Sequence, residues 1–127
     1  SVQTAICEVA YHQGRYWSRV PALAYERFVF RALSCEFADI SLADLTALPP
    51  QHAVYHSEDY SAARTLGISL REQGSAGVQY GSVRNNGALC WGLFSPQYVT
   101  QMVQSAHYEM IWQSGSISAI NQIVRLS

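Results

Sequence analysis

The stretch that most limits what this chain can become is Gly77 to Phe94, written GVQYGSVRNNGALCWGLF, which reads as strand, turn and strand. In a strand starting at Gly77, Val78, Tyr80, Ser82 and Arg84 share one face, while Gln79, Gly81 and Val83 share the other. The first face is polar for one that points inward. Asn85-Asn86-Gly87 supplies residues tolerant of positive φ, and Ala88 to Phe94 resumes an apolar run, so a β-hairpin is predicted. Gly77, Gly81 and Gly92 lie in or beside the strands, where a missing Cβ permits a bulge or the close approach of a ligand to the backbone. A hydroxyl and a guanidinium beside such glycines suit a phosphate or a sugar. An ordinary hairpin, with Ser82 bonded to a neighbouring backbone group and Arg84 solvated, accounts for the same residues.

With 127 residues, the chain is long enough to bury one core and too short for two comfortable domains. Hydrophobic residues at 49% against 13% charged describe a globular chain and exclude a disordered tail. A formal net charge of -1 leaves no broad basic surface to hold a nucleic-acid backbone, so direct nucleic-acid binding is not expected. There is no lysine, which removes Schiff-base chemistry and any phosphate loop that needs one. Arginine remains for bidentate contacts to phosphate. Cys7, Cys35 and Cys90 stand singly, with no CxxC pair and no histidine at ligand spacing, so neither a metal site nor a disulfide framework is indicated. A reducing cytoplasm fits that pattern. No leader and no apolar run near the roughly 20 residues that span a bilayer is present, so membrane targeting is not expected.

Taken in order, residues 1–14 read as a helix with Val2, Ile6, Val9 and Ala10 on one stripe and Gly14 as its stop. Glu8 faces away from that stripe with Thr4, Tyr11 and His12, which puts a carboxylate, a phenol and an imidazole on one side; a solvated helix face is the plain reading. Tyr16 to Val20 reads as a loop closed by Pro21, and Tyr25 to Phe37 as one strand or two. Ile40 to Leu48 reads as a short helix or turn before the stop at Pro49-Pro50. In the loop from Gln51 to Glu58, His52 and His56 read as surface residues and not metal ligands. Asp59 to Gln73 reads as a second helix, with Tyr60, Ala63, Leu66 and Leu70 on one face and Gly74 ending it. After Ser95-Pro96 a short helix is predicted over Gln97 to Gln104, then a terminal hairpin of His107 to Gln113 and Ser116 to Arg125 around Ser114-Gly115. No internal repeat is present. This order predicts an α+β fold with largely antiparallel pairing.

Two segments, TAICEVAYH near the start and EDYSAARTLGISLREQGSAGVQYGSVRNNGALCWGLFSP in the second half, together resemble the RES domain family. That family's pattern has Thr-Ala-x-x-Glu on a helix, then Tyr-His, and later Gly-x-x-Tyr-x-Ser-Val-Arg, a glycine-containing turn and an apolar strand ending Phe-x-Pro. The chain shows each in order, weakly only through Tyr16 to His56. Glu8 matches the family's glutamate and Ser82 its serine. The signature arginine and an accompanying tyrosine precede the glutamate in the family, whereas only seven residues precede Glu8 and none is Arg or Tyr. The resemblance therefore implies one RES-like domain over residues 1–127 that lacks its N-terminal part. Arg15 and Tyr16 follow Glu8 and do not inherit those roles, and Gly81 stands where relatives often show proline.

What the resemblance implies is an ADP-ribosyltransferase-like fold, mostly antiparallel sheets with short helices around a cleft that binds NAD, and breakdown of NAD as substrate by hydrolysis or phosphorolysis without a metal. It also implies a toxin of a bacterial toxin-antitoxin pair, whose partner is an Xre-like helix-turn-helix antitoxin; a homodimer is left open. The chemistry suits the residues. Nicotinamide leaves a cationic ring and needs no general acid, so one ionised carboxylate, Glu8, near the ribose can stabilise an oxocarbenium-like transition state. Ser82 would fix Glu8 or the substrate, Arg84 a phosphate or a structural ion pair, and Tyr80 would stack on a ring or pack in the core. Tyr11 and His12 would line the rim. Two alternatives stay open: transfer of ADP-ribose to a protein, and a non-catalytic interaction module of the same fold. The enzymatic expectations need Glu8 and Ser82 to face a common hollow.

Overall fold

The computed structural model describes residues 1–38 and 40–126. Its first helix, α1 (Val2–Ser18), starts where the Ser1 hydroxyl accepts the amide of Thr4 at 3.2 Å, satisfying one orphan donor of the first turn. Gly14 does not end it, and the predicted loop from Tyr16 begins only at Arg19. The cause is tertiary: Trp17 is 2% exposed and holds the last turn against Trp112 and Phe28, with ring centroids 5.8 and 5.7 Å away. Such anchoring outweighs the roughly 1 kcal/mol that a mid-helix glycine costs. Gly14 has a packing role, since a Cβ there would stand 3.7 Å from Ile117 Cδ1.

Ile6 and Ala10 pack on the core as the stripe predicts, but Val2 and Val9 are exposed. At about 100° per residue, Ile6, Trp17, Ala10 and Gly14 span one arc, and Val2 and Val9 fall outside it on the far side of Ile6. Thr4, on the opposite side of the helix, is 3% exposed, and Glu8 and Tyr11 beside it are half-buried, so that side is not the solvated face its composition suggests.

Backbone packing divides the chain into two compact units, Ser1–Glu36 with Gln101–Ser127, and Phe37–Thr100. The first holds α1 and a sheet ordered β1 (Tyr25–Phe37), β5 (Val99–Gln113) and β6 (Ser116–Ile123), strands whose ends cross into the second unit at Phe37 and Val99. The predicted strand over Tyr25 to Phe37 is a single one. Side-chain contacts from Arg27 to Glu109 and from Arg31 to Gln104 step forward along β1 as they step back along β5, the antiparallel sense. The β5-β6 pair is antiparallel, from His107 opposite Ile123 to Gln113 opposite Ser116, with an irregularity at Ile111/Trp112. Ser114 and Gly115, at φ 55 and 83, form the tight turn that matches strand twist. This hairpin is the predicted one, shortened by two residues at its end. Trp17, Met110 and Trp112 are the buried centre of the unit, joined by Leu23, Phe30 and Ile117. The Glu109 carboxyl is held below the usual carboxylate range, first by the Asn121 amide and then by Arg27.

The helix predicted over Gln97 to Gln104 is absent. Pro96–Tyr98 makes one 3₁₀ turn and β5 begins at Val99, because the β-branched Val99, Thr100 and Val103 favour extended backbone and Ser105 bonds the Ala32 carbonyl across the sheet.

In the second unit, β2 (Leu42–Asp44), β3 (Gly77–Gly81) and β4 (Leu89–Leu93) form a sheet with β3 central, parallel to β2 and antiparallel to β4. Residues 42–44 are thus a strand and not the predicted helix or turn; the turn follows, where the Asp44 carboxylate accepts the amide and hydroxyl of Thr46 at 2.9 and 2.6 Å. Ala53–Tyr55 adds a 3₁₀ turn to the predicted loop. The second helix, α2 (Ser61–Glu72), is the predicted one shortened by two residues at its start and one at its end, with Tyr60 at its N-cap, Ala63, Leu66 and Leu70 half-buried and Gly74 beyond it at φ 84. The architecture is α+β with sheets rich in antiparallel pairing and few helices. Among the described residues no helix is long and apolar enough to cross a membrane.

Gly77 serves the sheet and not a ligand: a Cβ there would collide with the Gly92 carbonyl oxygen and stand 3.0 Å from Leu42 Cδ2. Around Gly81 a Cβ would meet nothing within 4 Å. Gly77→Ala should therefore lower stability by about 1 to 3 kcal/mol through overpacking, and Gly81→Ala by well under half of that. Urea unfolding midpoints of the two variants check the contrast.

Candidate functional site

The strand predicted to run through Arg84 stops at Gly81. Ser82 ends it, because its hydroxyl accepts the amides of Arg84 at 3.2 Å and Asn85 at 3.1 Å, a local alternative to continuing the ladder. Its own amide donates to the Ala88 carbonyl at 2.9 Å and closes the loop. Only Val78 and Tyr80 of the four predicted face-mates lie in the strand. The loop is also wider than the Asn85-Asn86-Gly87 signal suggests, since among its described residues Gly87 alone takes positive φ, at 82.

Ser82 lines a cavity of about 350 Å³ within the second unit, with Gly81, Val83 and residues 86–89 on the hairpin side and Thr46, Leu48, Pro50 and Tyr55 opposite. The opposite wall is fixed: Tyr55 donates its hydroxyl to the Leu45 carbonyl at 2.6 Å, and Asp44 holds Thr46. Bonds from the Thr46 hydroxyl and then its amide keep the exposed Asp44 carboxyl below the usual carboxylate range. An apolar hollow with a few placed polar groups is the usual form of a small-molecule site. Sequence reading missed this wall. Its signals were Asp44-x-Thr46, a side-chain-capped turn, and the stiff Pro49-Pro50 that follows.

Arg84 is half-buried and is oriented by backbone: its Nη2 donates to the Ser57 carbonyl at 2.5 Å. Tyr80, also half-buried, lies in β3 opposite Cys90. Tyr80, Ser82 and Arg84 thus belong to the second unit, and Glu8, Tyr11 and His12 to the first. On α1, Glu8 is half-buried, His12 is exposed, and the Tyr11 and His12 rings meet edge to face at 5.2 Å. Arg15, one turn on, donates to the Tyr11 hydroxyl at 3.2 Å and sits 5.7 Å from its ring centroid, a cation-π contact that sequence reading did not anticipate. Its spacing of four from Tyr11 was the available signal. Among the described residues, no group of three His, Cys, Asp or Glu side chains is placed to hold a metal ion.

Comparison with protein-family models finds one described as the RES domain, matching residues 1–113. The chain belongs to the RES domain family. The match runs from α1 to the last residue of β5 and takes in Glu8, Tyr11, His12, Tyr80, Ser82 and Arg84, while β6 lies beyond it. Searches among curated proteins and among solved structures found no match. In this RES domain the serine is both a cavity-lining hydroxyl and the acceptor that shapes its own loop.

Ser82→Ala should therefore do more than remove a hydroxyl. Two amides lose their acceptor, which should cost about 1 to 2 kcal/mol of stability. Hydrogen exchange at the Arg84 and Asn85 amides should accelerate in the variant while exchange in α2 keeps its wild-type rate.

Proposed function

We propose that this RES domain is an NAD-degrading toxin of a bacterial toxin-antitoxin pair, cleaving the bond between nicotinamide and ribose. The family match over residues 1–113, which takes in both Glu8 and Ser82, is the observation that carries this reading. The α+β architecture with antiparallel-rich sheets is compatible with an ADP-ribosyltransferase-like fold.

In the reaction, the glycosidic C–N bond breaks with its electron pair going to the departing nicotinamide, which leaves neutral. Positive charge develops on the ribose, and the Glu8 carboxylate stabilises it electrostatically. Water or inorganic phosphate then bonds to the anomeric carbon, and attacking water releases a proton. Ser82 offers its hydroxyl from a loop that its own bonds hold in shape, Arg84 offers a guanidinium to a phosphate, and Tyr80 offers a ring for stacking. Tyr11 and His12 line the rim. The partner is an Xre-like helix-turn-helix antitoxin.

Incubating the protein with NAD, with and without phosphate, should release nicotinamide, with free ADP-ribose or its phosphate ester as the second product. Glu8→Gln keeps the shape and removes the charge, and should lower the rate by about 100-fold or more, the usual effect of losing one group that stabilises developing charge. No release under either condition overturns the reading. Label appearing on a protein instead would replace it with ADP-ribosyl transfer.

A further inference from the structure

The carbonyl that holds Arg84 belongs to a turn with its own brace. His56 Nδ1 accepts the amides of Glu58 at 3.1 Å and Asp59 at 2.8 Å, which curls residues 56–59 and presents the Ser57 carbonyl to the Arg84 guanidinium. Both bonds need Nδ1 as an acceptor, so the imidazole must be neutral. From the structure we infer that His56 is a positioning residue for Arg84: in its neutral form it shapes the turn whose carbonyl orients the guanidinium beside the Ser82 loop, and protonation releases it.

Several charged groups surround the brace. Asp59 is close enough to feel the imidazole, and bonds from Ser61 keep its carboxyl below the usual carboxylate range, so it stays ionised while a histidine titrates. Arg64 of α2 acts on the same carboxylate, Glu58 is in the turn, and Arg84 approaches from the hairpin side. His52, in the neighbouring 3₁₀ turn, accepts the Val54 amide at 3.2 Å through the same ring atom and so caps a different turn, which makes it an internal control. On protonation His56 exchanges two acceptor bonds for attraction to Asp59. The backbone curl depends on the acceptor bonds, and so does the position of the Ser57 carbonyl.

Asparagine places an acceptor oxygen at the same distance along the side chain as Nδ1, makes the same kind of side-chain-capped turn, and does not titrate. The test therefore compares wild type, His56→Asn, His56→Ala and His52→Asn between pH 7.5 and 5.5. The readouts are hydrogen exchange at the Glu58 and Asp59 amides and at the Arg84 guanidinium, corrected for intrinsic exchange. Protection in wild type should fall by about tenfold at the lower pH. It should stay level in His56→Asn, be low throughout in His56→Ala, and follow wild type in His52→Asn. Wild-type Arg84 protection in His56→Ala, or the same loss with pH in His56→Asn, overturns the inference.

The functional consequence rests on the NAD reading and is read separately. KM for NAD should rise in wild type at low pH and in His56→Ala, with kcat little changed, while His56→Asn holds its KM level. If wild type releases no nicotinamide at any pH, the NAD reading falls and the exchange data alone decide whether His56 positions Arg84. Nicotinamide release with the same KM in His56→Ala and wild type overturns the positioning role in catalysis.

Discussion

The bond that shapes the second unit's candidate site is the one the Ser82 hydroxyl makes to the two amides that follow it. By accepting both, it stops β3 at Gly81 and swings Val83 to Gly87 away from the ladder, which resumes at Leu89 opposite Gly81. A continuous hairpin would have put Ser82 and Arg84 on one strand face. The loop instead lets Ser82 line a hollow while Arg84 reaches the Ser57 carbonyl. The hydroxyl oxygen thus serves the backbone of its own loop as an acceptor.

The first unit solves a different problem. Its sheet must support a helix that carries a glycine about one turn before its end, and it does so through aromatic packing: Trp17 lies against Trp112 and Phe28, and Phe28 stacks on Phe30. Fixing the last turn of α1 this way fixes the rotation of the whole helix, since the arc from Ile6 to Gly14 must meet the sheet. Glu8, Tyr11 and Arg15 are thereby set on the opposite side. A carboxylate used for electrostatic stabilisation has to be held in place before reaction, and rigidity of its helix is the first requirement.

Periodicity and turn chemistry made much of this legible. Tyr25 to Phe37, the α2 region with Gly74, and the Ser114-Gly115 hairpin all carry local signals that tertiary packing does not contradict. The failures share a cause. Gly14 reads as a helix stop only if Trp17 is ignored, and residues 42–44 are too short to show an alternation before Asp44 turns the chain. The apolar residues near Gln97 to Gln104 read equally as helix until their partner strand is known. Among the candidate residues, local sequence marks Glu8 only as a helix carboxylate and Ser82 as a hydroxyl on a polar strand face beside glycines. The family pattern is what singles the two out. The Thr46 to Tyr55 wall of the cavity was invisible because it is assembled from a loop by contacts at a distance.

The lack of lysine gives arginine placement unusual weight here, because each cationic side chain is a planar guanidinium whose orientation matters as much as its charge. Arg15 donates to the Tyr11 hydroxyl and sits over its ring, and Arg84 donates to the Ser57 carbonyl. A bond to a carbonyl or hydroxyl oxygen fixes the plane of the fork. It also makes the geometry of the holding group a control point, since whatever moves a carbonyl moves the guanidinium that depends on it.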